Sequence, residues 1–237
     1  GELAHLAVER VWTELERALG ERDPQVFVRV LRDSGALAAL LPEVDVLFGI
    51  PQPPKHHPEI DTGEHVLMAL EQAAGMGADS EARFAVLLHD VGKGLTPAAE
   101  LPRHIAHEQR GLKLVETICT RLRAPTRFRE LALAVCRSHL LCHTALQLRG
   151  ATLLKLLHST DALRRPERFE AFLLACEADA RGRLGREDRP YPQADYLRRA
   201  LATAQAVSAA EFAGEQLDGK QLGEAISRER TRRLEAL

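Results

Sequence analysis

Ala85-Val86-Leu87-Leu88-His89-Asp90-Val91-Gly92-Lys93-Gly94 is the stretch from which the rest of this chain is read. An apolar run stops at an imidazole beside a carboxylate, followed by a glycine and a lysine. Adjacent nitrogen and oxygen ligands at a helix end can hold one hard divalent cation. Gly92 lets the backbone turn sharply, and Lys93 carries a point charge suited to an anion. A His-Asp dipeptide alone recurs by chance, but this one has company. His65 lies upstream, and His107, His139 and Asp179 lie downstream, each in a segment that reads as helix.

Working outward, the composition supports a helical protein. Of 237 residues, 45% are hydrophobic and only 4% aromatic, so the core must rest on Leu, Ala and Val. Leu, Ala, Glu and Arg dominate, and these are good helix formers. The formal net charge of −2 gives no global signal for nucleic acid. Arginines do cluster locally: Arg121, Arg123, Arg127 and Arg129; Arg164, Arg165 and Arg168; Arg181, Arg183 and Arg186. Such clusters serve either as solvated helix faces or as phosphate contacts. No apolar stretch reaches the ~18 residues of a membrane helix, and no signal peptide is expected. Cys119, Cys136, Cys142 and Cys176 sit in apolar helical contexts and read as reduced thiols of a cytoplasmic protein.

The expected organisation is all-α. Leu3, Leu6, Val11, Leu15 and Leu19 place a helix over 2–19, stopped by Gly20. Asp23-Pro24 opens a second helix, with Asp23 as N-cap. A third covers 36–41 and ends at Pro42. The four prolines of residues 49–58 exclude a helix, so that stretch reads as a loop or linker and a boundary. Helices follow from 61, with a break at Gly75-Met76-Gly77, and over 80–90, 106–123, 126–142, 151–162, 166–180, 193–206 and 219–236. Residues 91–103 and 184–192 read as loops.

Imidazole and carboxylate ligands suit Mn, Fe, Co, Ni, Zn or Mg. His65, His89, Asp90 and Asp179 are the candidate metal ligands. Each also has a plainer reading: His65 as a half-buried surface histidine, Asp179 as a helix cap or ion-pair partner. Burying both His89 and Asp90 unpartnered would be costly. His104 and His107 stand three apart at a helix start; either one is a ligand, with His107 favoured, and the other a phosphate contact, or both are solvated. A rival zinc set, Cys136, His139, Cys142 and His143, fails on spacing, because Cys142 turns away from the face the others share. No serine or cysteine sits in a sharp Gly-flanked turn, and Gly92-Lys93-Gly94 lacks the pattern of a phosphate loop.

The ordered series His65, His89-Asp90, His107, His139 and Asp179 resembles the HD superfamily of metal-dependent phosphohydrolases. Longer stretches narrow the resemblance: Phe48-Gly49-Ile50-Pro51, His57-Pro58-Glu59-Ile60-Asp61-Thr62-Gly63, Arg83-Phe84-Ala85, His89 through Pro97, and Glu177-Ala178-Asp179-Ala180-Arg181-Gly182-Arg183. These look like the carboxy-terminal part of bacterial multifunctional CCA proteins, which are tRNA nucleotidyltransferases carrying an HD domain. Val11-Trp12 and Asp23-Pro24-Gln25-Val26-Phe27 resemble the end of that family's helical body. The Gly-Gly turn and paired aspartates of the family's polymerising head are not found in this sequence. The resemblance implies a helical body over 1–50, a Pro-rich linker over 51–60, an HD bundle over 61–185 and a helical tail over 186–237. It implies a divalent cofactor (Mg, Mn, Ni or Co) and phosphatase, 2′-nucleotidase and 2′,3′-cyclic phosphodiesterase activities on RNA 3′ ends and small nucleotides. The residues it puts at the chemistry are His89, Asp90, His107 and His139. Lys93 and His104, with Arg181 and Arg183 behind them, are the candidates for the substrate phosphate.

Two other readings stand beside this one. A tRNA-binding module would grip phosphates with the arginine clusters and with Lys220, Arg228, Arg230, Arg232 and Arg233 of the last helix. A helical scaffold would homodimerise around an inert site.

Overall fold

A computed structural model describes residues 7–237. The expected positions Leu3 and Leu6, and the start of the first helix at residue 2, lie outside the described residues. Among the described residues twelve α-helices follow one another: α1 (Val8–Gly20), α2 (Pro24–Asp33), α3 (Ala36–Leu40), α4 (Pro42–Asp45), α5 (Thr62–Gly75), α6 (Ser80–Leu88), α7 (His107–Arg121), α8 (Thr126–His143), α9 (Gly150–Ser159), α10 (Pro166–Arg181), α11 (Pro192–Gln205) and α12 (Gly219–Glu235). Among the described residues the β-structure is one isolated bridge, Pro51 to Asp61. The expected all-helical class is what the structure has. No helix among the described residues is long and apolar enough to cross a membrane.

Several local expectations need correction. Pro42 ends α3 but also opens α4 at its first position, where its missing N–H costs nothing. Asp23 precedes α2 but makes no side-chain cap; its carboxylate faces Arg22 at 3.9 Å. Residues 91–103 are not plain loop, since Val91–Leu95 and Ala98–Glu100 wind into tight 3-10 turns. The helix expected over 80–90 stops at Leu88, leaving His89 and Asp90 at its exit.

The chain forms two compact units. The first holds residues up to 139 together with 171–190; the second holds 140–170 and 191–237.

In the first unit, α6 is the central rod. Every residue from Ala82 to Leu88 is buried, as in a helix surrounded by packing on all sides. Asp79 caps its start by accepting from the Ala82 amide at 2.8 Å. Trp12 of α1 meets Phe84 of α6 and Phe128 of α8 edge-on, at centroid distances of 5.3 and 4.8 Å. Arg83 is buried in the same rod. Its guanidinium donates to the carbonyls of Leu19, at 2.7 Å, and Glu21, so it closes the carboxy-terminal end of α1 where helix carbonyls lack partners. Asp61 caps α5 by accepting from the Glu64 amide, and its second oxygen takes the Gly49 amide at 2.6 Å. That double grip fixes the angle at which α5 carries His65 inward.

In the second unit, Leu153, Leu156 and Leu157 of α9, Leu197 and Leu201 of α11 and Leu234 of α12 are buried. Asp218 and Gln221 form a reciprocal cap at the start of α12. Arg230 then ties α12 to the end of α11 through the Ala204 carbonyl at 2.9 Å.

Removing the fully buried Phe84 ring takes two aromatic contacts with it. Phe84→Ala is expected to cost about 3–5 kcal/mol. Urea unfolding followed by the fluorescence of Trp12, the single tryptophan, measures it.

Candidate metal centre

His89 and Asp90 stand where α6 ends, and both are 1% exposed. The chain turns immediately because Gly92 lies against α7. A Cβ there would fall 1.9 Å from the His107 carbonyl oxygen and 2.6 Å from the Gly111 nitrogen. This close approach brings His107, the first residue of α7, over Asp90. His65 enters from α5, His139 from α8 and Asp179 from α10, all buried in the first unit.

Asp90 is the pivot. Its Oδ2 lies 3.1 Å from His89 Nε2 and 3.8 Å from His65 Nε2. Asp179 Oδ1 lies 3.1 Å from His65 Nε2 and 3.8 Å from His89 Nε2. Two imidazoles and two carboxylates thus face one point, at a spacing compatible with ligands of a common ion. Asp90 Oδ1 faces the other way, 3.1 Å from His107 Nε2 and 3.7 Å from His139 Nε2.

The ring protons are set by backbone carbonyls, which only accept. Nδ1 donates to Gly182 in His65 (2.9 Å), to Val86 in His89 (2.7 Å), to His104 in His107 (2.9 Å) and to Val135 in His139 (3.1 Å). In the neutral ring each Nε2 then carries a lone pair. The four lone pairs converge on the Asp90 carboxylate. Those of His107 and His139 face each other at 3.3 Å, an arrangement that needs a proton or a cation between them.

The residues fit a cation. His65 Nε2, His89 Nε2 and Asp90 Oδ1 are buried polar atoms that find no hydrogen-bond partner among the described residues. Such orphans are expensive unless something else satisfies them. Asp90, Asp179 and Glu59 also outnumber the fixed cations beside them, Lys93 and Arg183. Burial pushes the Asp90 carboxyl up, but the neighbouring His89, Lys93 and His107 hold it well below the usual range. Burial likewise opposes charge on His65, yet Asp179 and Glu59 outweigh it and raise its pKa. At His139 burial outweighs the upward pull of Asp90 and Asp179 and pushes its pKa down to about 3. Three groups can each bring ligand atoms close together: His65, His89 and Asp90; Asp90, His107 and His139; and His57, Glu59 and His65.

Residues 62–180 match the family model described as HD domain. The chain belongs to the HD-domain family. Residues 1–48 match a second model, described as the probable RNA and SrmB-binding site of polymerase A. The chain is 59% identical over 237 residues to the Multifunctional CCA protein of Thioalkalivibrio sulfidiphilus, covering all of this chain and 58% of that protein. Identity to the Multifunctional CCA protein of Alkalilimnicola ehrlichii is also 59% over 237 residues, all of this chain and 57% of that one. For that of Hahella chejuensis it is 54% over 230 residues, 97% of this chain and 54% of that one. The chain thus spans a little over half the length of these curated relatives, consistent with their carboxy-terminal part.

Within this HD domain the candidate substrate residues are differently placed from the ligands. The Lys93 ammonium is buried, 2.6 Å from Asp90 Oδ2 and bonded to Gln52. His104 uses both ring nitrogens, bonding Thr96 Oγ1 at 2.7 Å and the Pro51 carbonyl at 3.0 Å. That holds the 91–104 segment to the Pro-rich segment. Arg181 pairs with Glu177 on its own helix at 2.6 Å. Arg183 reaches Asp179 Oδ1 at 3.2 Å and so leans on a candidate ligand. In the rival zinc set, His139 turns to Asp90 while Cys136 bonds the Glu108 carbonyl. No metal-capable group among the described residues includes a cysteine.

Sequence reasoning missed three residues. His57, Glu59 and Gln52 sit in the segment read as a linker, yet Glu59 touches His65 and Gln52 holds Lys93. The nearest signal was the quoted His57-Pro58-Glu59 stretch, which shared no periodicity with the helices.

Burial also holds His57 down, to about 4. An unfolded histidine titrates near about 6.5. His57 and His139 are therefore neutral when folded and take up protons on unfolding once the pH drops below that value. Their contribution to stability is fully present above about pH 6.5 and is lost as pH falls toward about 4. His65, with its raised pKa, works in the opposite direction and offsets part of this. Scanning calorimetry is expected to show a lower Tm at about pH 4.5 than at about pH 7, and a shallower drop in His139→Gln.

Proposed function

We propose that this chain is a metal-dependent phosphohydrolase of the HD type. The observation that carries the reading is the convergence of carbonyl-fixed imidazoles on Asp90, with buried ligand atoms lacking protein partners. Membership of the HD-domain family and the metal-capable groups support it. His65, His89, Asp90 and Asp179 would hold the ion. A divalent cation bound there would polarise a phosphoryl oxygen and lower the pKa of a bound water. Mg, Mn, Ni and Co all suit this donor set.

The chain's own residues supply the rest. Lys93 and Gln52 keep the Asp90 carboxylate in place. His139, neutral because burial opposes its charge, presents Nε2 as an acceptor 3.3 Å from His107 Nε2. We assign to His107, in its doubly protonated form, the Nε2 proton delivered to the leaving oxygen, because that nitrogen lies between Asp90 and His139. With His107 neutral, the same face of Asp90, toward His107 and His139, would instead offer a place for a second ion.

Substrates and biological role follow from the relatives and are part of the same proposal. The named relatives are multifunctional CCA proteins. The proposed activities are 2′-nucleotidase, 2′,3′-cyclic phosphodiesterase and phosphatase on RNA 3′ ends and small nucleotides. They would serve tRNA 3′-end maturation or repair in a longer protein whose polymerising head is not in this sequence. A body over 1–50, linker over 51–60, HD domain over 61–185 and tail over 186–237 remains our proposed division, in a cytoplasmic protein. Hydrolysis of 2′-AMP, 2′,3′-cyclic AMP and a generic phosphomonoester should require a divalent ion. His89→Ala and Asp90→Ala should each abolish turnover while leaving the far-UV dichroism in place; activity that survives both sinks the assignment.

A second function, RNA binding, is favoured by the match of residues 1–48 to the polymerase A model. The arginine clusters support it less than the sequence suggested. Arg121 is held bidentately by Glu43 at 2.7 and 2.6 Å, Arg123 pairs with Glu9, and Arg232 and Arg233 pair with Glu229. Lys220 and Arg228 of α12 stay exposed. A tRNA filter-binding series should show affinity falling with salt at a log–log slope below about 4 in magnitude, reflecting few phosphate contacts. Absence of binding, or binding indifferent to salt, removes this second function.

A further inference from the structure

The Pro-rich segment has a chemical task that its composition hides. Glu59 is buried, with a side chain 5% exposed. Its Oε1 accepts from His57 Nδ1 at 2.9 Å and lies 3.2 Å from His65 Nδ1, while Oε2 accepts from the Leu184 amide at 3.3 Å. His57 and His65 meet edge-on with centroids 4.6 Å apart. The backbone is bent to deliver this carboxylate. Ile60, the next residue, has φ of 63°, a left-handed conformation that a β-branched side chain rarely adopts. It is held there by its carbonyl, which takes the Gln52 amide at 2.7 Å, and by its own amide, which bonds His57. Strain of this kind persists where the surroundings over-determine it, commonly beside a functional site.

His57, Glu59 and His65 could also be read as a separate cation site. The Gly182 carbonyl argues against that. It lies 2.9 Å from His65 Nδ1 and can only accept, so Nδ1 carries a proton and is closed to a metal. The same proton is shared toward Glu59, leaving Nε2 as the ligand atom, aimed at Asp179 and Asp90.

We propose that Glu59 is a positioning residue of the metal centre, acting through His65: it accepts from the Nδ1 proton, fixes the ring, and makes Nε2 a stronger donor to a divalent cation. This rests on the metal reading given above. A carboxylate behind a ligating imidazole commonly raises metal affinity in this way, and its loss costs about 10–100-fold. His57 braces the carboxylate from its other side, which ties the segment 51–60 to the cluster.

The test uses the 237-residue chain and Co2+, with binding followed by titration calorimetry and the visible Co2+ spectrum. Glu59→Gln keeps the shape of the side chain and removes its charge. Expected is a Kd for Co2+ weaker by about 10–100-fold, with far-UV dichroism unchanged. In a His65→Ala background, Glu59→Gln should then add no further loss, because the effect passes through His65; His65→Gln takes that place if the alanine variant does not fold. Imidazole 1H–15N spectra of the metal-free chain give a second readout, with His65 resonances moving in Glu59→Gln. Unchanged Co2+ affinity in Glu59→Gln overturns the proposal, as does an equal loss with and without His65. If the unsubstituted chain binds no Co2+, Mn2+, Ni2+ or Mg2+, the metal reading itself falls and takes this inference with it.

Discussion

A single buried carboxylate holds the first unit to its purpose. Asp90 is almost fully enclosed, and a lone negative charge in that position would be prohibitively costly. Two histidine rings and an ammonium lie within 3.1 Å of its oxygens, and two further rings stand at 3.7 and 3.8 Å. Each partner arrives on a different element, so α5, α6, α7 and α8 are all positioned by the demand of one charge. The close backbone contact at Gly92 and the cap at Asp61 are local solutions to that demand.

The parts of this arrangement that were legible in the sequence share a feature. His65, His89, Asp90, His139 and Asp179 are polar residues on or at the ends of otherwise apolar helices. Helical periodicity predicts which face such residues share, and burial cost predicts that they need partners. The all-helical class was legible for the same reason. His57, Glu59 and Gln52 were not, because proline-rich backbone has no periodicity from which to read a direction. The same prolines that exclude a helix made the segment look like a spacer. Residue type marks Lys93 and His104 as phosphate candidates, but it gives no sign of their partners Asp90, Gln52, Thr96 and Pro51, up to 53 residues away.

The arginines teach a related lesson. Clustering along the chain gives local charge density but not the partner. Arg121 meets Glu43 from 78 residues away and Arg123 meets Glu9 from 114. Pairs as exposed as Arg123 with Glu9 contribute little to stability, yet they remove charge from the pool open to phosphates. Net charge near zero is the sum of such local cancellations.

The contact of His65 with the Gly182 carbonyl joins residues 117 positions apart, and Asp179 lies in the same late stretch of chain. On a ribosome adding about 5–20 residues per second, His65 leaves the tunnel roughly 6–23 s before Gly182 does. Throughout that interval the growing chain has imidazoles but no closed cage. A cation held by all of His65, His89, Asp90 and Asp179 therefore locks a topology that long-range loop closure has already produced.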